Sequence, residues 1–445
     1  MYELIITEKP AAANKIAEAL ADGKAIKENY QGVPYYRLTH GKKDIVVACA
    51  VGHLYGLAEK VKKGWVYPVF DIEWKPISEN SKRAAFTKKY LNAIKKLAKD
   101  ANEFTVATDF DQEGEVIGLN IVRYLCKRKD ANRMKFSTLT KDELREAYDK
   151  KTKHLEWGQA ESGEARHFLD FYNGINYSRA LTAAIKTTGT FKLMSTGRVQ
   201  GPALKIIVDR EREINVFVSK PFWQIELLGE HNKQEIIAWH KEDKFWEKTK
   251  ADSIIEKTKN QKEAKIGNLD KKQFNQMPPF PFDLTSLQVE GYRCHGISPK
   301  EILEIGQELY TSGYISYPRT SSQQLPPAIG YMKVLNDLNK QKQYSDLVKK
   351  LLKKSSLRPN NGKKTDPAHP AIYPTGIIPA ELTERESKIY DLIVKRFIAA
   401  FADNAIRETM TADIGCSNEI FIAKGTRTIE KGWHEFYSPY VNLEE

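Results

Sequence analysis

The sequence predicts a multidomain α/β + α + β protein. An N-terminal α/β unit leads into helical, β-rich, helical and again β-rich segments. Three observations predict it. The chain has 445 residues, about three domains' worth at roughly 100–200 residues each. Short apolar runs alternate with helical periodicity through the first 130 or so positions, the pattern of an α/β sheet. Past Phe222 the hydrophobic period changes from helical to alternating.

Tyr2–Thr7 is an apolar run suited to a buried strand, and Pro10 opens a helix with Ile16, Ala19 and Leu20 on one face. Asp44–Ala50 and Phe104–Thr108 are two further strand-like runs, and Gly114–Leu125 follows at helical spacing. These alternations predict a parallel sheet. Residues from about 140 to 215 read as mainly helical, most clearly Ala165–Leu181 and Ala203–Arg212. Trp223–Leu227 and Glu235–Trp239 read as short strands, and Met277-Pro278-Pro279-Phe280-Pro281 as a linker. Ser298-Pro299-Lys300-Glu301 reads as a capping box with Pro at the first helical position, its helix ending at Gly313. Residues 341–365 hold eight Lys/Arg and one Asp and end in Pro359-Asn360-Asn361-Gly362, which predicts a mobile basic loop. Strands return near Thr409–Ile414 and Glu419–Ala423.

Hydrophobic residues make up 41% of the chain and charged residues 29%, too apolar for wholesale disorder. No run approaches the ~20 apolar residues of a membrane span, and the N-terminus lacks the basic and apolar regions of a secretory signal. Cys49, Cys126, Cys294 and Cys416 are scattered. That suits a reducing cytoplasm and excludes a Cys-x-x-Cys zinc ribbon within the chain. Seventy Lys+Arg against 58 Asp+Glu give a net charge of +12. A basic balance favours a polyanionic partner, nucleic acid first, although a solvated lysine surface gives the same number.

Four constellations could carry chemistry. Asp109-Phe110-Asp111-Gln112-Glu113 sits between a strand and a helix, where ligands bind in α/β sheets. In an extended turn its alternating acids project to one side. Glu8 follows the first strand, and the four acids together could hold Mg²⁺. Acids at a helix N-terminus also simply complement its dipole. In Tyr314-Ile315-Ser316-Tyr317-Pro318-Arg319-Thr320, Pro318 favours an extended Tyr317 whose phenol sits at a cleft edge, and Arg319 could meet a phosphate. A free tyrosine, with a pKa of about 10, is a poor nucleophile, and one of 21 tyrosines beside an Arg is ordinarily a packing residue. Ser195-Thr196-Gly197-Arg198-Val199-Gln200 could approach a phosphodiester or merely start a helix. In Asp366–Thr375, His369 could donate to a phosphate oxygen or be a satisfied turn histidine.

Each motif is ambiguous alone, but their order resembles that of the type IA DNA topoisomerases, particularly the archaeal branch. Thr7–Pro10 and Thr108–Glu115 resemble the two halves of that family's Toprim acidic site, and Gly52-His53-Leu54 its Gly-His-Leu element. Arg166–Asp170 and Ser195–Gln200 resemble its strand-binding segments, Gly313–Thr320 its active-tyrosine motif and His369–Thr375 its downstream histidine motif. The resemblance implies a toroid. Its parts would be a Toprim domain (1–145), an incomplete helical single-strand-binding domain (146–215) and a β-rich arch (216–280 and 406–445) with an inserted tyrosine domain (281–405).

By the same resemblance Tyr317 attacks one DNA strand, leaving a 5′-phosphotyrosine and a free 3′-hydroxyl. Strand passage and religation without ATP then relax negative supercoils. The absence of a P-loop motif agrees with that. Arg319, Lys9 and His369 would act on the phosphate, and Glu8 would manage the leaving-group proton. Asp109 and Asp111 would be the main Mg²⁺ ligands, with Glu8 and Glu113 sharing the site. His53, Arg166, His167, Asp170, Ser195, Thr196, Gly197, Arg198, Val199 and Gln200 would line the single-strand groove. DNA, single-stranded or negatively supercoiled, is the implied partner, and RNA remains open.

Departures from the family pattern qualify this. Gln112 stands where the family usually has Arg. No Gly-Thr-x-Ala-Thr-Arg-like segment follows residue 400. The expectation is a shortened form or one part of a split enzyme, with a second polypeptide supplying the remainder. Two alternatives stay open: a Toprim metal-dependent nuclease, in which Tyr317 is dispensable, and a non-catalytic single-strand-binding fragment.

Overall fold

The computed structural model describes residues 1–443. Its N-terminal unit runs β1 (Tyr2–Thr7), α1 (Pro10–Leu20), β2 (Ile26–Tyr30), β3 (Val33–His40), β4 (Lys43–Cys49), β5 (Tyr55–Glu59), β6 (Ile72–Pro76), α2 (Ile77–Asn80), α3 (Thr87–Leu97), β7 (Ala101–Ala107), α4 (Gln112–Asn120), β8 (Asn132–Arg133) and α5 (Lys141–Asp149). Six of these strands form one sheet in the order β2-β3-β4-β1-β7-β8. β1 lies at its centre, parallel to β4 and β7, with all six residues buried. Successive side chains point to opposite faces. Ile5 and Val47 therefore pack with Ile16, Leu20 and Leu144, while Leu4, Ile6 and Val46 pack with Ile94, Leu97 and Ile117.

The expected parallel sheet is in fact mixed, because β2, β3 and β4 run antiparallel. Two tight hairpin turns cause this. Gln31-Gly32 and Gly41-Lys42 all take positive φ, the geometry whose twist matches paired strands. The alternation in β2 went unread because most of its side chains face solvent.

Next come α6 (Trp157–Lys186) and α7 (Gln200–Val216), as the helical periodicity predicts. They are followed by β9 (Glu226–His231), β10 (Gln234–His240), α8 (Lys248–Thr258) and β11 (Lys265–Gln276). The helical stretch that follows holds α9 (Leu284–His295), α10 (Pro299–Thr311), α11 (Tyr331–Leu338), α12 (Lys342–Leu352) and α13 (Glu384–Ala399). The chain then returns to β12 (Ala405–Cys416), β13 (Glu419–Glu430) and α14 (Trp433–Tyr437). The later strands make one antiparallel sheet ordered β11-β12-β13-β10-β9. The helices α9 to α13 are thus inserted between strands of a single sheet.

Two local expectations are corrected. Residues 341–365 are not a loop. α12 occupies 342–352, with Tyr344, Val348 and Leu351 buried. The remainder is pinned by backbone bonds from Asn360 to Ala400 and from Gly362 to Gln323. Lysine density had masked an apolar stripe. The capping box at Ser298 is only half formed. Ser298 accepts from the Glu301 amide, while the Glu301 carboxylate pairs with Arg385. Complete boxes occur instead at Asp283/Ser286 on α9 and Thr383/Glu386 on α13. Gly313 does follow α10 with φ +81. Among the described residues, no helix is long and apolar enough to cross a membrane.

Candidate active site

The centre forms where the carboxyl ends of β1 and β7 meet the segment after α10. Asp111 is the N-cap of α4, its side chain accepting from the Gly114 amide at 2.8 Å. Only glycine fits at 114, because a Cβ there would lie 2.0 Å from the Asp109 carbonyl oxygen. The turn is therefore a tight cap rather than an extended strand. As a correction, the acids do not all project to one side. Asp109 and Asp111 face the tyrosine segment, whereas Glu113, already in the helix, faces His53, Arg166 and His167.

Beneath the turn lies a buried ion pair that the sequence reading missed. Arg133 and Glu115 are both fully buried, 2.6 Å apart. Arg133 also donates to the carbonyl oxygens of Thr108 and Asp109, each at 2.9 Å. It fixes the backbone that carries Asp109. An acid and an arginine 18 positions apart give no local pattern by which to find them.

The phenol of Tyr317 donates to Oδ2 of Asp111. Tyr310, fully buried in the last turn of α10, donates to Oδ1 of Asp109 at 3.2 Å. The two tyrosine rings meet edge to face, centroids 5.2 Å apart. Tyr310 was also missed, being one of 21 tyrosines. Tyr317 is 1% exposed rather than at a cleft edge. Its backbone is held by its own amide donating to Ser137 O and by the Ser316 amide donating to Tyr373 O. The Asp366–Thr375 motif is therefore the neighbour of the tyrosine motif in space.

His369 is buried, with Nε2 3.0 Å from the carbonyl oxygen of Phe110 and Nδ1 2.9 Å from Ser137 Oγ. A carbonyl only accepts, so Nε2 carries the proton and donates. Its ring lies 4.5 Å from that of Tyr317, centroid to centroid.

Charge at the centre is unbalanced. Lys9 Nζ lies 3.1 Å from Asp109 and 3.5 Å from Glu8. Burial and the charges of Asp109 and Asp111 push Glu8 up to about 7, against which Lys9 pulls. Burial and the same two aspartates drive Tyr317 far above its ordinary value, with Arg319 opposing. Burial lowers His369. Three crowded carboxyl groups with one lysine are a donor set short of positive charge. Oxygen ligands of this kind suit a hard divalent cation, so Glu8, Asp109 and Asp111 fit Mg²⁺. Arg319 is exposed and lines, with Lys9, a cleft of about 780 Å³ beside α10.

The expected groove residues fall along α6. Arg198 grips Asp170 with Nε at 2.6 Å and Nη2 at 3.1 Å. Arg166 lies 3.8 Å from Asp170 and 3.3 Å from Glu113. His53 and His167 both contact Glu113. Thr196 bonds Ser178 through its amide at 3.1 Å. Thr196, Gly197 and Arg198 line a cavity of about 680 Å³ with Tyr177 and Leu181. Ser195 and Val199 are exposed, and Gln200 begins α7. Gln112 donates to Ser162 on α6 at 2.9 Å. The structure thus groups Glu8, Lys9, Asp109, Asp111, Tyr317 and His369 at one centre, and sets Glu113 and the groove residues beside it.

A DNA topoisomerase family model matches residues 154–445, and a Toprim domain model matches residues 3–139. The chain is 46% identical over 447 residues to DNA topoisomerase 1 of Pyrococcus horikoshii, covering 99% of this chain and 65% of that protein. It is 48% identical over 439 residues to DNA topoisomerase 1 of Methanocaldococcus jannaschii, covering 98% and 57%. Full-length topoisomerase I from Thermotoga maritima shares the fold at a TM-score of 0.70 and 24% identity, covering 99% of this chain and 68% of that one. The chain thus spans about 57% to 65% of the length of these two curated relatives.

Proposed function

The chain belongs to the type IA DNA topoisomerases, and on that premise we propose that it cleaves one DNA strand transiently through Tyr317. The Tyr317–Asp111 contact carries the proposal, since it puts a nucleophile candidate directly on the acidic centre.

In this reading Tyr317 Oη attacks the phosphorus, and Asp111, already its hydrogen-bond acceptor, takes the phenolic proton. The phosphorus–O3′ bond breaks, leaving a 5′-phosphotyrosine. The departing 3′-oxygen takes a proton from Glu8, whose carboxyl is pushed up by burial and by the neighbouring Asp109 and Asp111. Lys9, Arg319 and His369 bring donors to the phosphate oxygens as charge builds. Glu8, Asp109 and Asp111 would hold Mg²⁺, which when bound supplies positive charge against the phosphodiester. Reversal reseals the strand, because the phosphotyrosine keeps the bond energy.

A strand must reach a phenol that is now buried, so the centre has to open. Among the described residues, the polar bonds that opening would break are Tyr317–Asp111, Tyr310–Asp109, His369–Phe110, Ser137–His369 and the Tyr317 amide to the Ser137 carbonyl, with Lys15–Ser312 and Lys333–Asp142 at the rim. This supports a gate between the Toprim and tyrosine units of a toroid, with single-stranded or negatively supercoiled DNA as substrate. Strand passage and relaxation are proposed for the full-length protein.

The test is a single-stranded DNA labelled at either end, mixed with the protein and Mg²⁺, quenched with detergent and run on a denaturing gel. A covalent product carrying the 3′-side fragment, absent in Tyr317→Phe, is expected. Free fragments from both proteins would sink the tyrosine mechanism in favour of a nuclease. No cleavage by either would leave strand binding as the activity of this chain.

A further inference from the structure

A second group of ligating side chains converges beside the acidic centre. His53 Nε2 lies 2.9 Å and His167 Nε2 3.0 Å from the same atom, Oε2 of Glu113. One ligand atom from each residue falls within 4.8 Å of the other two. We infer that His53, Glu113 and His167 form a binding site for a transition-metal cation of the Zn²⁺ type, separate from the hard-ion site at Glu8, Asp109 and Asp111.

The donor chemistry separates the two sites. Imidazole nitrogen suits Zn²⁺, Co²⁺, Ni²⁺ and Cu²⁺, whereas Mg²⁺ takes oxygen and keeps its water. Two histidines and one glutamate with an open fourth position form a recurring three-ligand zinc arrangement. Each side chain here is 27% to 29% exposed, so an ion can enter and a solvent position remains. Glu113 shares no hydrogen bond with Glu8, Asp109 or Asp111 among the described residues. Serving the histidines therefore takes nothing from the first site.

The three ligands also sit on fixed supports, as a metal site needs. His53 follows Gly52, whose positive φ of +89 turns the chain and whose amide bonds Glu8 O at 3.0 Å. Glu113 is in the first turn of α4, behind the Asp111 cap. His167 is on α6, which approaches α4 so closely at Gly163 that a Cβ would lie 2.7 Å from the Gln112 carbonyl oxygen. The Trp74 ring packs against His167, centroids 5.4 Å apart. Arg166 takes the other carboxylate oxygen at 3.3 Å. Its charge weakens the site without occupying it. An ion here would tie α6 to the turn that carries the acids.

The test is titration of the protein with Co²⁺ in excess Mg²⁺, followed by visible ligand-field absorption. A saturable one-to-one band, displaced by Zn²⁺, is expected. His53→Ala and His167→Ala should each weaken it at least about tenfold, while Asp111→Asn retains it. Loss of the band in Asp111→Asn with retention in both histidine variants would overturn the inference, as would the absence of any saturable band. Pulsed EPR of the Cu²⁺-loaded unsubstituted protein guards against misfolded variants. Two coordinated imidazole nitrogens are expected, and none would overturn the site.

Discussion

The Tyr317 hydroxyl bonds Oδ2 of Asp111 across 206 residues of sequence, a buried phenol on a half-buried carboxylate. The contact ties the phenol to the acidic centre. It keeps the phenol protonated, because an anion beside two aspartates in a buried pocket is strongly disfavoured. It also holds a carboxylate that the proposed ion would use.

Asp111→Asn separates these roles. Asparagine is as good an N-cap as aspartate, so the bond to the Gly114 amide survives. Chemical denaturation should show a stability change within about 1 kcal/mol. Calorimetric titration should show Mg²⁺ affinity falling by about tenfold or more, since one of three carboxylates has lost its charge.

Glu8 predicts a pH dependence in metal-free protein. An unfolded glutamate gives up its proton near 4.5, and the folded one holds it to about 7. Stability is therefore full below about 4.5, falls as pH rises to about 7, and levels off above. The loss is on the order of 2–3 kcal/mol. Denaturant midpoints across this window measure it. Glu8→Gln should flatten the slope, and an undiminished slope in that variant would assign it to another group.

Arg133→Met strands Glu115 as an uncompensated buried charge and releases the carbonyls of Thr108 and Asp109. A cost of about 3–5 kcal/mol is expected. Restoring neutrality with Glu115→Gln in the same chain should recover part of it, which a double-mutant cycle by denaturation would measure.

Gly163→Ala tests the seating of α6 on α4. The new methyl would lie 2.5 Å from Val116 Cγ2 and 2.7 Å from the Gln112 carbonyl oxygen. Both contacts are too close, and one is backbone, so α6 must move. Denaturation should register about 1–3 kcal/mol, and amide exchange at the start of α4 should accelerate.

The sequence by itself determined the central strands at Tyr2–Thr7, Lys43–Cys49 and Ala101–Ala107, the helices that open at Pro10 and beside Gly114, the helix opening at Pro299 and closing at Gly313, and the segments that meet at the centre. Those features are written locally. Apolar period, caps and breakers act over a few residues, and the acids and Tyr317 stand at the ends of elements so marked. Only the tertiary structure decided which side chains touch. The turn at Gly114 sends Glu113 away from Asp109 and Asp111, toward histidines supplied by a loop and by α6. Tyr310 and Arg133 serve the centre from positions with no local mark. Tyr317 is buried because Asp111, Ser137 and His369 close over it from elsewhere in the chain. α12 became a helix despite its lysines, because Tyr344, Val348 and Leu351 had a core to enter. Period and capping are properties of neighbours in sequence, whereas burial and partnership are properties of neighbours in space.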